Sequence, residues 1–233
     1  PETSASRAAV PTATESQQGL SFATALAAPA FWSVSIGVSL YGASSSGIAL
    51  FQEMLLSERG FDTNVYHRTL ALGAIVGVVT NLIAGALLSG SRLRPALSAA
   101  LLIQGATLAC FPLIDSLFDL YLYVTMIGVS GGILTVVFFT AWGHSFGPRH
   151  LGQIQGAAQL LTVVFSAIGP LFVTTSMRVW GNYTSATTAF AVITSIVGVM
   201  AACIPIPSIT QRRRPPSGQS QRPEAISEGS LLP

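Results

Sequence analysis

Residues 142–156 read WGHSFGPRHLGQIQG and separate two long apolar runs, VTMIGVSGGILTVVFFTA (124–141) and AAQLLTVVFSAIGPLFV (157–173). One Arg, two His, one Pro and four Gly fall in this short stretch, after which the apolar pattern resumes. Such a break is expected where a chain leaves a bilayer, turns and re-enters it. Gly143 and the pair Gly147 and Pro148 are expected to break the helix. Arg149 and His150 would mark the membrane surface, and LGQIQG would open the next helix.

The rest of the chain supports a membrane reading. Half of the residues are hydrophobic and only 9% are charged, against about 25% in soluble domains. So little charge cannot cover a water-facing globule. The formal net charge is +2 and every basic side chain but His is Arg, so no strong field for nucleic acid is expected. Cys110 and Cys203 lie in apolar runs without metal-ligand spacing and are expected to be small core residues. The opening PETSAS has neither Met nor a signal pattern; a fragment or processed product of a longer chain is expected.

Residues 1–23 are rich in Ser, Thr, Ala and Pro and are expected to form a disordered polar linker. Six segments then approach the roughly 20 apolar residues that a spanning helix needs: 30–55, 69–90, 96–114, 118–141, 152–177 and 185–206. Residues 207–233 are polar, with RRRPP and SGQSQ, and are expected to be a disordered cytoplasmic tail. The fold class expected is thus all-α membrane, with six transmembrane helices. Six spans put both termini on one side. Eight arginines fall on that side (7, 92, 94, 149, 212, 213, 214, 222) and three on the other (59, 68, 178). By the positive-inside rule both termini are cytoplasmic. The aromatics Phe31, Trp32, Trp142, Tyr121, Tyr123, Trp180 and Tyr183 flank the spans, as an interfacial belt would.

Polar residues at helical spacing inside a span should face protein or water, since lipid offers them no partner. Span one carries Ser35, Ser39, Gly42 and Ser46, with Tyr41, Ser45 and Gln52 beside them. Span two places Gly73, Gly77, Asn81 and Gly85 four apart, a spacing that permits close helix contact. Span four places Thr125, Gly128, Gly132, Thr135, Phe139 and Trp142 on one face, and span five Gln155, Gln159, Thr162 and Ser166. Gly169 and Pro170 should kink or loosen span five. Spans three and six are plainer, with Gln104 and Thr107 as the main polar residues of span three. This distribution predicts that the first two helices of each triplet face a cavity or partner while the third is peripheral. For a single Ser or Thr, simple helix packing is the preferred reading; for Gln155, Gln159 and Asn81 it is the lesser one, since an amide in lipid must find partners.

Three stretches resemble one transporter family. APAFWSVSIGVSLYGASSSGIALFQEMLLSERGF (28–61), GALLSGSRLRP (85–95) and FGPRHLGQIQGAAQ (146–159) followed by IGP (168–170) are similar to the C-terminal six-helix half of the major facilitator superfamily (MFS), nearest the monocarboxylate or oxalate–formate type. The resemblance covers roughly residues 24–206. It implies two inverted three-helix repeats and a secondary transporter that works by alternating access. Its implied partners are an N-terminal six-helix half, the bilayer and a small organic solute, monocarboxylates included, with a co-transported proton. Its implied place is a cell membrane, plasma or bacterial inner, spanned several times. The loop motif departs from the family, because Ser89 and Gly90 stand where an Asp and a basic residue are usual, although Arg92 and Arg94 remain. The eighth-helix acid and Arg of many monocarboxylate carriers are also missing, leaving only Thr80 and Asn81.

On this reading the candidate substrate-pathway residues are Tyr41, Ser45, Gln52, Asn81, Thr135, Gln155, Gln159 and Thr162. Arg92, Arg94 and Arg149 are candidates for a cytoplasmic gate. Glu53, the acid nearest a span interior, is a candidate ion or proton relay, or else an interfacial carboxylate in water. A neutral or weakly acidic solute fits this lining best. No metal or cofactor is expected. A non-transporting membrane scaffold derived from such a half is the competing reading. An enzyme is disfavoured because no nucleophile–base pair or metal cluster is legible.

Overall fold

The computed structural model describes residues 21–89 and 92–206; the expected linker over 1–20 and the tail from 207 lie outside them. A short helix, α1 (Phe22–Leu26), precedes six long ones: α2 (Pro29–Glu58), α3 (Thr63–Leu87), α4 (Leu93–Cys110), α5 (Leu117–Phe146), α6 (Leu151–Trp180) and α7 (Thr184–Cys203). All six are long and apolar enough to cross a membrane, and the described residues contain no strand. The protein is an all-α, multi-pass membrane bundle. A 30-residue helix such as α5 is about 45 Å long at 1.5 Å per residue, longer than the roughly 30 Å hydrocarbon core. Accordingly α2, α5 and α6 run past the apolar segments read from sequence at both ends, whereas α3, α4 and α7 start earlier but stop three or four residues short of theirs.

The helix ends follow local chemistry. Pro29 occupies the first turn of α2, where its missing N–H costs nothing. Ser116 and Asp119 form a reciprocal capping box on α5, satisfying two orphan donors. Gly181 ends α6 in the left-handed region at φ 69°, a conformation that a Cβ disfavours. Gly143 does not break α5, contrary to expectation: the helix continues to Phe146 and ends only where Gly147 adopts φ 82°. One glycine removes no hydrogen bond, whereas positive φ does end the helical path.

Consecutive helices are not the main packing partners. The dominant pairs are α2 with α6, α3 with α5 and α4 with α7, followed by α4 with α5 and α2 with α7. This set is unchanged when the triplet α2–α4 is exchanged with α5–α7. Glycine makes the three dominant pairs possible. An alanine Cβ at Gly132 of α5 would lie 2.7 Å from the Gly77 carbonyl oxygen of α3. One at Gly105 of α4 would lie 3.0 Å from the Ala191 oxygen of α7. Small residues let backbones approach where hydrophobic burial drives nothing, because lipid is as apolar as the core.

The α2–α6 pair also uses a side-chain clamp. Pro170 lies inside α6 and has no N–H to offer the carbonyl of Ser166 four residues earlier. Ser46 Oγ of α2 donates to that carbonyl at 2.6 Å. The helix stays continuous through the proline because its orphan acceptor is satisfied from a neighbour. Ser46→Ala is expected to destabilise the bundle by about 1–2 kcal/mol, the cost of an unpaired buried carbonyl. Denaturant titration of the reconstituted chain reads this directly, and Ser46→Thr should retain most of the stability.

Two buried clusters hold the bundle, one toward each end. The end that carries residues 21–29 (the near end) is filled by Phe31, Leu97, Leu101, Phe138, Trp142 and Phe146, with α1 packed over it through Ala25. The far end is filled by Leu55, Leu108, Phe111, Leu120, Tyr183 and Phe190. Arg59 closes that end: its guanidinium lies 4.8 Å from the Phe111 ring centre and donates to the carbonyls of Pro112 and Ile114.

Several expectations are corrected here. Phe31, Trp142, Tyr123 and Tyr183 are buried in protein and do not form an interfacial belt, whereas Trp32 and Trp180 are exposed. Cys110 and Cys203 are exposed, not core. The third helix of the first triplet is not peripheral. In its most apolar stretch α4 is 56% buried, whereas α3 is only 6% buried. In each case the cause is the same: an apolar run reads alike whether it faces lipid or protein.

Candidate functional site

Between α2, α3 and α5 lies a cavity of about 540 Å³, with Gln104 of α4 at its back. It reaches from the middle of the bundle into its far half. Toward the far end it is lined by Gln52, Thr69 and Tyr123, and near the middle by Tyr41, Asn81 and Thr135. Glycines 73, 77, 128 and 131 form part of the wall. Tight α3–α5 contact through these glycines keeps the wall thin and leaves the volume on the α2 side.

The polar residues of α2 divide between two adjacent faces. Ser39, Gly42 and Ser46 turn toward α6: Ser39 Oγ lies 3.3 Å from Thr162 Oγ1, and Gly42 abuts Thr162 and Ser166. Tyr41, Ser45, Ile48 and Gln52, one step round the helix, line the cavity. Rotation by 100° per residue thus separates a packing face from a lining face.

The structure brings five of the eight candidate pathway residues together: Tyr41, Ser45, Gln52, Asn81 and Thr135. The other three, all on α6, stand apart from this cavity. Thr162 packs against α2 and donates back to the Ala158 carbonyl. Gln155 is half-buried and Gln159 is exposed on the outer surface of the bundle. Glu53 is exposed and does not line the cavity, although its neighbour Gln52 does.

The three candidate gate arginines all lie at the near end. Arg92 donates to the Leu87 carbonyl, at the C-terminus of α3. Arg94 donates to the Ala202 carbonyl, in the last turn of α7. Both satisfy acceptors that a helix end leaves open. Arg149 is exposed on the turn between α5 and α6.

Three polar lining residues, Thr69, Gln104 and Tyr123, were not among the pathway candidates, although Gln104 stood out as a polar residue of span three. Gln104 is fully buried; it accepts from Ser130 Oγ at 2.5 Å and donates to Ser44 Oγ at 3.3 Å. It thereby ties α4 to both α5 and α2 behind the cavity. A lone amide in an apolar span was the available signal, since such a group must find partners. Tyr123 was read as interfacial, but it is 8% exposed and its hydroxyl has no hydrogen-bond partner. The part-exposed amides of Gln52 and Asn81 also line the cavity and have no hydrogen bond to another described residue, so they are free to receive polar groups.

Among the described residues, none that lines the cavity carries a charge. Its surface is mostly apolar, with polar groups placed at intervals, the usual make-up of a site for a small organic molecule. No protein-family model matches this chain, and no curated protein matches it.

Proposed function

We propose that this bundle is the C-terminal half of a secondary active transporter of the MFS type, moving a small organic solute by alternating access. The observation that carries this reading is the cavity between α2, α3 and α5, lined by no charged described residue and by Asn81, Tyr41 and Thr135 near mid-depth. The exchange of the two triplets without change of packing partners is what a repeat-built carrier would have. The bare flanks of α3 and α6 suit a half that meets an N-terminal six-helix partner as well as lipid. The arginine distribution supports a cytoplasmic side for both termini; in that orientation the cavity would face the outer half of a plasma or bacterial inner membrane. Monocarboxylates are among the solutes that the family resemblance brings to the panel. In this frame Arg149 is the arginine left to pair across the inner surface, because Arg92 and Arg94 are committed to helix ends.

The test is uptake by membrane vesicles containing the intact polypeptide, screened over small organic acids and their neutral analogues. For the best substrate, Asn81→Leu is expected to reduce uptake at least tenfold at unchanged membrane abundance. Removing a buried amide that contacts a solute typically costs that much or more. Unchanged uptake by Asn81→Leu would remove this cavity from the path.

A further inference from the structure

We infer that the molecule received by the α2–α3–α5 cavity is bound uncharged: an organic compound with an apolar frame and at least two separated hydrogen-bonding groups. This assignment rests on the cavity being the solute path proposed above, and it narrows the class of solute. Three observations carry it.

The first is the wall. Ile48, Val78, Val124 and Ile127 and the glycine surfaces supply apolar contact, and no Asp, Glu, His or Arg lines the cavity. None of the described arginines lines it: Arg68, in the second turn of α3 beside the lining residue Thr69, is exposed, and Arg149 and Arg178 lie at the two ends of α6. Arg59 is bonded to the carbonyls of Pro112 and Ile114 at the far end, and Arg92 and Arg94 are bonded at the near end. A carboxylate entering such a space would lose its hydration without gaining an ion pair from any described residue of this half, and that loss dominates the energetics of buried charge.

The second is the pair of free amides. Gln52 of α2 lines the cavity toward its far end and Asn81 of α3 lines it near the middle, and neither side chain is hydrogen-bonded to another described residue. Each amide can both donate and accept, so each suits a neutral amide, hydroxyl or carbonyl. They stand on different helices, which is why the ligand needs two separated polar groups.

The third is Gln104. One N–H of its amide is committed to Ser44 and its oxygen to Ser130. The amide's second N–H has no partner among the described residues, which adds a neutral donor at the back of the cavity and no charge.

The experiment uses the full chain in lipid nanodiscs. The exposed Cys110 and Cys203 are replaced by Ser, and Ala49→Cys, at an exposed lining position of α2, serves as the reporter. Labelling by N-ethylmaleimide is timed with 6-hydroxyhexanamide, which has two separated polar groups, or with its charged isostere 6-hydroxyhexanoate, at equal millimolar concentration and neutral pH. Asn64→Cys, exposed at the far end, controls for effects on the bilayer. The amide is expected to slow labelling of Ala49→Cys at least fivefold more than the carboxylate does, with no effect at Asn64→Cys. Asn81→Leu should reduce that protection at least threefold. Protection by the carboxylate equal to or greater than that by the amide, or protection by neither, overturns the uncharged class while leaving the path intact. Should Ala49→Cys fail to fold, Ala74→Cys repeats the measurement on the α3 wall. A folded reporter that is never labelled overturns the path itself, and with it the transport reading.

Discussion

Gly169→Leu is expected to prevent the bundle from assembling. A Cβ at this position would overlap the carbonyl oxygen of Ala43 and stand 2.8 Å from its carbonyl carbon and 2.9 Å from Ser46 Oγ. Two of these three atoms are backbone and cannot rotate away, so α2 and α6 would have to separate. Separation would also break the bond from Ser46 to the Ser166 carbonyl, which the following proline leaves otherwise unpaired. Overpacking of a well-fitted core costs about 1–3 kcal/mol, and losing the clamp adds about 1–2 kcal/mol. Gly169→Ala should therefore destabilise by about 3 kcal/mol or more, and Gly169→Leu should leave little folded protein after purification. The control is Gly85→Ala, at a helical glycine with nothing within 4 Å of a new Cβ, where no loss is expected. Equal stability of the Gly169→Ala and Gly85→Ala proteins in denaturant titrations would contradict the packing described for α2 and α6.

Trp142→Ala should have the second-largest effect, and for the opposite reason. Trp142 heads the fully buried side chains of the near end and touches three aromatic rings: Phe31, Phe138 and Phe146, with centroids 5.5, 5.6 and 6.3 Å away. Truncation would leave a large void between α2 and α5. Large-to-small changes of this kind cost about 3–5 kcal/mol in soluble cores. Part of that figure is transfer from water, which is smaller when the alternative is lipid, so about 3 kcal/mol is expected here. The indole N–H is buried without a partner, and its loss strands no acceptor. Trp142→Phe should consequently cost less than about 1.5 kcal/mol. Loss of helical signal with rising denaturant, followed for wild type and both variants, decides the matter. An Ala variant as stable as the Phe variant would place Trp142 at the membrane interface, where its sequence position alone had put it.

That tryptophan shows how far the candidate site could be read in advance. Tyr41, Ser45, Gln52, Asn81 and Thr135 could be chosen from sequence because amides and hydroxyls at helical spacing have no business facing acyl chains. The same rule selected Thr162 and Ser166, yet these serve a helix–helix contact. It also selected Gln159, which lies on the exposed surface. A hydroxyl that bonds its own helix backbone, as Thr162 does to Ala158, is satisfied on either face, so its presence does not reveal which way it turns. Tyr123 and Gln104 were passed over because one sits near a span end and the other stands alone in an apolar helix. Neither position indicates depth within the bundle.

The sequence by itself determined the six spans, the hairpin at residues 142–156 and the all-helical fold. These are local properties. A run of about 20 apolar residues in a bilayer must satisfy its own backbone, and a helix is the way a single segment does so. Only the tertiary structure decided that α2 packs on α6 and α3 on α5, that α4 lies inside, and that one of two neighbouring polar faces of α2 encloses a cavity. Lipid and protein interior are equally apolar, so hydropathy does not tell one neighbour from another. The choice falls to shape, to where a glycine admits a backbone and where a serine meets an orphaned carbonyl, and those matches exist only once distant helices have met.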